Sequence, residues 1–199
     1  AADERGPAPN DTAVARDLNN LGEIYRGLGR YKDAEVYLVR SLKVRERIFG
    51  KTDLSVAHSL KNLAGLYKEL DQYAQAESLY NCALSIRKQL LGPRDTEIAE
   101  LLNDLGLLYS ETSRFAKAES CLTHALSIKE KVLGKDDPAV VPTLTNLSAL
   151  FYDLGNYPRA ETFLRRAIRL CEKNRGLDSP FALTLLNDLG VICNTQGDY

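Results

Sequence analysis

One period governs this chain. LNNLGEIY begins at Leu18, LKNLAGLY at Leu60, LNDLGLLY at Leu102, LTNLSALF at Leu144 and LNDLGVIC at Leu186, a step of 42 residues each time. YKDAEVYL from Tyr31, YAQAESLY from Tyr73, FAKAESCL from Phe115 and YPRAETFL from Tyr157 recur in step with it. So do Gly50, Gly92, Gly134 and Gly176. Three independent series on one period leave a repeat architecture as the reading, with each copy one supersecondary unit.

Each unit reads as two antiparallel helices. In the second, Val56, Leu60, Leu63, Leu66 and Tyr67 recur at three- and four-residue steps, as one helical face requires. Ala76, Leu79, Tyr80, Ala83, Leu84, Ile86 and Leu90 do the same for a second helix. Short turns separate the two at Gly29-Arg30, Asp71-Gln72, Ser113-Arg114, Gly155-Asn156 and Gly197-Asp198. The four glycines predict left-handed C-terminal caps. Asp53, Asp95, Asp137 and Ser179 follow three residues later as N-caps, with Asp11 in the same role for the first helix. Pro138 and Pro180 then stand where a missing N–H costs nothing.

Small Ala34, Ala76, Ala118 and Ala160 predict close approach of the paired helices, and Tyr25, Tyr67, Tyr109 and Phe151 fill between them. A single pair cannot bury its own face, so the pairs must stack. The expected fold is therefore all-α, an α-solenoid of four full helix pairs plus one extra helix. The expected boundaries are 1–10 as a disordered tail, then repeats over about 11–52, 53–94, 95–136 and 137–178, with a partial one over 179–199.

Composition narrows the function classes. Lys+Arg is 26 against Asp+Glu 27, so no basic field exists to attract nucleic acid or an anionic membrane. No run approaches the roughly 18 apolar residues of a membrane span. The four cysteines, Cys82, Cys121, Cys171 and Cys193, contain no CxxC pair and read as reduced thiols, which points to the cytoplasm. Cys121-x-x-His124 has no second ligand pair, so no metal and no cofactor is expected. No nucleophile elbow, phosphate-cradling glycine loop or zinc-protease motif is present, and the chain reads as a non-enzyme. The lack of any Met reads as the mark of a fragment or processed form.

The pattern L-x-x-LG-x-x-Y, followed by A-E-x-x-(Y/L)-x-x-(A/S)-L, resembles the tetratricopeptide repeat. That repeat usually has about 34 residues. The longer form here, with its G-x-x-D link, is similar to the repeats of kinesin light chains. LGKDDPAV at 133–140 and LNDLGVICNTQGDY at 186–199 carry that likeness most clearly. The resemblance spans about residues 11–199. It implies a right-handed superhelix whose first helices line a concave groove that binds protein segments. Two departures matter. The family's frequent Trp is replaced by Leu18, Leu60, Leu102, Leu144 and Leu186. The Lys and Asn of the chaperone-binding clamp are replaced by Asn19 and Glu23, which speaks against capture of chaperone tails.

The resemblance places the groove on the first helices, off the core stripe. The candidate positions are Arg16, Asn19, Asn20, Arg26, His58, Lys61, Asn62, Lys68, Asn103, Asp104, Leu107, Asn146, Tyr152, Asn187 and Asp188. Glu23, Gly65, Glu100, Ser110, Thr145, Ala149 and Val191 lie beside them. One ladder stands out: Asn20, Asn62, Asp104, Asn146 and Asp188. An Asn amide both donates to and accepts from an extended backbone. The same residues could instead bond to the neighbouring helix and order the stack.

The groove is also polarised. Arg16, Arg26, His58, Lys61 and Lys68 lie early, whereas Glu100, Asp104, Glu111, Asp153 and Asp188 lie late. An acidic partner segment is therefore expected at the first two repeats, with apolar residues meeting Leu107, Ala149 and Tyr152. Arg165, Arg166 and Arg169 read as a solvated patch on a second helix. The leading function is an adaptor that binds an extended peptide segment of a protein partner, with no nucleic acid and no membrane. The alternative is a structural, end-to-end self-associating segment of a larger protein.

Overall fold

The computed structural model describes residues 9–93, 95–175 and 180–197. Among the described residues there are nine α-helices and one 3₁₀ turn: α1 (Pro9–Gly27), α2 (Tyr31–Phe49), α3 (Leu54–Glu69), α4 (Tyr73–Leu91), α5 (Thr96–Glu111), α6 (Phe115–Leu133), the 3₁₀ turn Pro138–Val140, α7 (Val141–Asp153), α8 (Tyr157–Arg175) and α9 (Pro180–Gln196). The contacts divide the chain into two units, Ala1–Pro93 and Arg94–Tyr199. In the first unit α1 packs on α2, α2 on α3 and α3 on α4. In the second α5 packs on α6, α6 on α7, α7 on α8 and α8 on α9. This is the expected all-α architecture of repeated helix pairs.

The helix pairs close on small residues. Ala34, Ala76, Ala118 and Ala160 are each 0% exposed. Opposite them, Gly22, Ala64, Gly106 and Ser148 recur on the first helices. A Cβ on Gly106 would lie 2.6 Å from Cγ of Leu122, and one on Gly22 equally near Leu38. The leucine side chain therefore occupies the space that a larger residue would need.

The caps follow the period, with informative differences. Asp53 accepts from the Ser55 N–H at 2.7 Å, Asp95 from Glu97 at 2.7 Å and Asp137 from Ala139 at 2.8 Å. Gly50, Gly92 and Gly134 have φ of 79°, 77° and 101° but ψ of 167°, 176° and 156°. That is not the left-handed helical cap expected from sequence. It is a region open essentially to glycine alone. Asp11 is not a cap either: α1 starts at Pro9, and Asp11 sits in its first turn, 3.4 Å from Nη2 of Arg47. The fourth pair opens with the 3₁₀ turn before α7, which begins with Val141 and Pro142. Gly176, Ser179, Asp198 and residues 1–8 of the expected tail lie outside the described residues, while Pro9 and Asn10 already belong to α1.

A second periodic series ties one pair to the next. Arg45, Arg87 and Lys129 recur 42 residues apart and are 8%, 8% and 2% exposed. Arg45 Nη1 donates to the Ser55 carbonyl at 2.8 Å and to Ser59 Oγ at 2.9 Å, joining α2 to the start of α3. Burial lowers its pKa, with Asp53 opposing. Lys129 Nζ donates to the Ala139 carbonyl at 3.1 Å and meets Glu100 at 2.7 Å. In Arg45 and Lys129 the long apolar stems lie in the core while the heads meet backbone at the next helix start.

Two substitutions test these contacts by urea denaturation. Gly106→Val should cost about 3 kcal/mol through overpacking against Leu122, despite valine's better helix propensity. Arg45→Met should cost about 2 kcal/mol by orphaning the Ser55 carbonyl and Ser59 hydroxyl.

Candidate functional site

The expected groove positions all lie on the first helices α1, α3, α5, α7 and α9. In the first unit the structure separates these positions into three kinds. Arg16, Asn20 and His58 are exposed. Arg26, Lys61, Asn62 and Lys68 are half-buried. Asn19 is only 4% exposed and faces inward.

The reason for Asn19's burial is an interhelix bond. Asn62 Nδ2 donates to Asn19 Oδ1 at 3.0 Å. The second unit repeats the device: Asn146 Nδ2 donates to Asn103 Oδ1 at 3.0 Å, and Asn103 is 7% exposed. Asn62 and Asn146 therefore order neighbouring pairs. Of the two readings left open for these ladder positions, the stack-ordering one describes these bonds. An amide held in this way keeps its second N–H, and Asn62 also lies 3.3 Å from Nε2 of His58.

The early cations are partly committed. Arg26 Nη2 pairs with Glu23 at 3.0 Å and its Nε lies 3.7 Å from Glu69. Its guanidinium lies over Gly65, where a Cβ would come within 2.7 Å of Nη1. Desolvation pushes the Glu23 carboxyl above its ordinary pKa, Arg26 pulls it back and Glu69 adds to the rise. Arg16 sits 3.4 Å from Asp17. Glu100, expected beside the groove, turns instead to Lys129 of α6 at 2.7 Å. Asp104 and Leu107 are half-buried on α5.

The first unit has a shallow concavity of about 410 Å³ over Glu35, Val36, Val39, Arg40 and Lys43 of α2, and the second unit a smaller, more enclosed one. A cleft of about 260 Å³ opens between α7 and α9. Thr145, Ala149, Tyr152 and Asp153 line it from α7, and Asp188 and Val191 from α9. All six were reachable from the sequence pattern. Its floor was not: Ser148, Leu164 of α8 and Ile192 close the bottom, and Leu164 and Ile192 are 2% and 3% exposed. These belong to the core stripe, and the 42-residue series Leu38, Tyr80, Leu122 and Leu164 was the signal available for one of them. Among the described residues α7 and α9 approach less closely than α5 and α7, which leaves the cleft open. Asn187 is exposed on α9, and Leu186 is 38% exposed although its four equivalents are buried.

The polar atoms of the cleft divide cleanly. Thr145 Oγ1 donates to the Pro142 carbonyl and Ser148 Oγ to the Ala160 carbonyl, both at 2.8 Å. Asp153 and Asp188 are exposed and make no ion pair among the described residues. Tyr152 packs tilted on Tyr157 with ring centroids 5.5 Å apart. On the opposite side of the pair, Arg165 meets Glu161 at 2.6 Å and Arg166 meets Glu130 at 2.5 Å, so two cations of the basic patch are already paired. Among the described residues no three or more metal-ligating side chains cluster, and no helix is long and apolar enough to cross a membrane.

Repeated antiparallel pairs presenting one face of first helices define a helical-repeat interaction scaffold. The family model described as Tetratricopeptide repeat matches residues 13–89, 62–131, 97–173 and 140–199, so the chain belongs to the tetratricopeptide repeat family. No curated protein matches its sequence significantly. Among solved structures it is similar to BtubC (BKLC) from P. vanneervenii, at 21% identity and a TM-score of 0.83 over 94% of this chain and 75% of that one. It is similar to a Podosopora anserina protein described as a kinesin light chain with nearly identical TPR-like repeats, at 17% identity and 0.80 over 96% and 90%. Pseudomonas aeruginosa pilF shares 18% identity and a TM-score of 0.70 over 96% of this chain and 72% of its own. The chain thus shares its fold with kinesin-light-chain-like repeat structures. Such repeats generally mediate protein–protein interaction.

A half-buried tyrosine of the first unit offers a check on packing. Tyr67 donates to Glu35 Oε1 at 2.9 Å, and burial with this carboxylate pushes the phenol up to about 12. Folded-state ionisation of Tyr67 should follow that of exposed tyrosines in a spectroscopic titration, and Glu35→Gln should move it earlier.

Proposed function

We propose that this chain is a non-enzymatic adaptor that binds extended segments of a partner protein on the face formed by its first helices. The observation that carries the reading is the α7–α9 cleft. It gathers Thr145, Ala149, Tyr152, Asp153, Asp188 and Val191, which the helical pattern places on that face. It is apolar at its base and polar at its rim, the usual arrangement of a recognition pocket. Cys82, Cys121, Cys171 and Cys193 form no disulfide among the described residues, which favours a cytoplasmic setting.

In the first unit, Arg16, Lys61 and Lys68 supply positive charge on the same face, and an acidic stretch of a partner fits there. Arg26 contributes less, because Glu23 and Glu69 already hold it. Lys61→Glu with Lys68→Glu should weaken binding of an acidic peptide by about fivefold or more, read by fluorescence anisotropy. Unchanged affinity removes this part of the proposal.

A second reading has its own observation. Ile24 and Leu28 of α1 are 58% and 67% exposed, and Phe181 and Leu183 of α9 are 48% and 57% exposed. Such apolar residues favour end-to-end self-association of copies. Sedimentation should then show mass rising with concentration, and Leu183→Glu should abolish the rise.

Selection of random peptides displayed on phage tests the leading reading. Ala149 is exposed, so Ala149→Arg plugs the cleft without entering the core. Selected peptides should bind the unaltered chain and lose about tenfold or more in affinity on Ala149→Arg, a loss of the size that a central contact gives. Peptides that bind both equally, or a selection that enriches nothing, would contradict it.

A further inference from the structure

Resting on that reading, we propose that the α7–α9 cleft is specific for a segment that inserts one apolar or aromatic side chain and flanks it with Lys or Arg. At about 260 Å³ the cleft falls just below the roughly 300–1,000 Å³ of sites for whole small molecules. It is the size of a pocket for a single anchoring side chain. Leu164 and Ile192 give that anchor a dry floor, and Tyr152 and Val191, 36% and 45% exposed, give it walls.

Charge decides what stands beside the anchor. The two aliphatic hydroxyls of the cleft, on Thr145 and Ser148, are spent on backbone carbonyls of Pro142 and Ala160. They offer little to an incoming polar group. Asp153 and Asp188 flank the opening from different helices, exposed and without an ion pair among the described residues. Two such carboxylates repel an acidic flank and favour a cationic one. The Tyr152 ring adds a π face that a guanidinium or ammonium can cover. In an extended segment, side chains two residues apart point the same way. Cations two residues before and after the anchor therefore reach the rim that the anchor enters. This is the opposite charge preference from that of the first unit's face.

Amide chemical-shift mapping with synthetic nonapeptides tests the assignment. The probes share a Ser-Gly frame. One has Phe at the centre with Lys two residues to either side, one has Glu in place of both Lys, and one has Ala in place of Phe. The Lys–Phe–Lys probe should shift amides of α7 and α9 and bind about five- to tenfold more tightly than the Glu version, the gain expected of two exposed ion pairs. Asp153→Asn with Asp188→Asn should level the two affinities while leaving the melting temperature unchanged. The Ala-centred probe should not bind the cleft.

Equal or tighter binding of the Glu version would overturn the charge specificity. If that binding still depends on Phe and is lost on Ala149→Arg, the broader reading of the cleft survives. An Ala-centred probe that binds as well as the Phe-centred one would overturn the anchor. Shifts absent from α7 and α9 with every probe would overturn both.

Discussion

Everything in this chain depends on how closely two helices can approach. Ala34, Ala76, Ala118 and Ala160 are fully buried where the paired helices meet, and small residues face them from the first helices. At Gly22 and Gly106 the opposing leucine fills the place of a Cβ. Close approach brings the flanking leucines and aromatics into contact, and dispersion and apolar burial then accumulate over the whole interface. It also fixes which side of each first helix turns inward. The outward side of each first helix is what remains, so the proposed binding face rests on the packing.

The inward and outward faces are not separated by polarity alone. Arg45 and Lys129 are buried cations whose heads reach the start of the next helix. Asn19 and Asn103 are buried amides bonded across to Asn62 and Asn146. These groups act as register pins, because only one placement of adjacent pairs satisfies them. What stays exposed after these bonds are made is a smaller set: Arg16, Asn20 and His58 in the first unit, Tyr152, Asp153, Asn187 and Asp188 in the second. The proposed binding face draws on that remainder.

The fold was legible because its constraint is periodic. Leucine, glycine and alanine series on a 42-residue step announce helix pairs, and Asp53, Asp95 and Asp137 cap where that step puts them. Finer details escaped wherever a residue had two plausible partners. Asp11 looked like a cap because it shares the spacing, but α1 starts two residues earlier. Glu100 shares a face with the groove, yet Lys129 on α6 draws it away. Asn19 has the right position and the wrong exposure, since pattern gives direction around a helix but not the reach of the next helix. The cleft itself required the separation of α7 from α9, and no local sequence signal encodes a distance between helices. Its rim was readable from α7 and α9 alone, while its floor at Leu164 and Ile192 was indistinguishable from ordinary core.

The central claim is that a partner segment lies on the first helices. A photoreactive benzophenone side chain placed in turn at Ala149, Val191, Thr162 and Arg169 tests it most directly, with a selected binding peptide present. All four positions are exposed, the first pair on α7 and α9 and the second on α8. The account predicts cross-links to the peptide from Ala149 and Val191 and none from Thr162 or Arg169. Cross-links from the α8 positions, with none from α7 or α9, would place recognition on the other side of the helix pairs and contradict it.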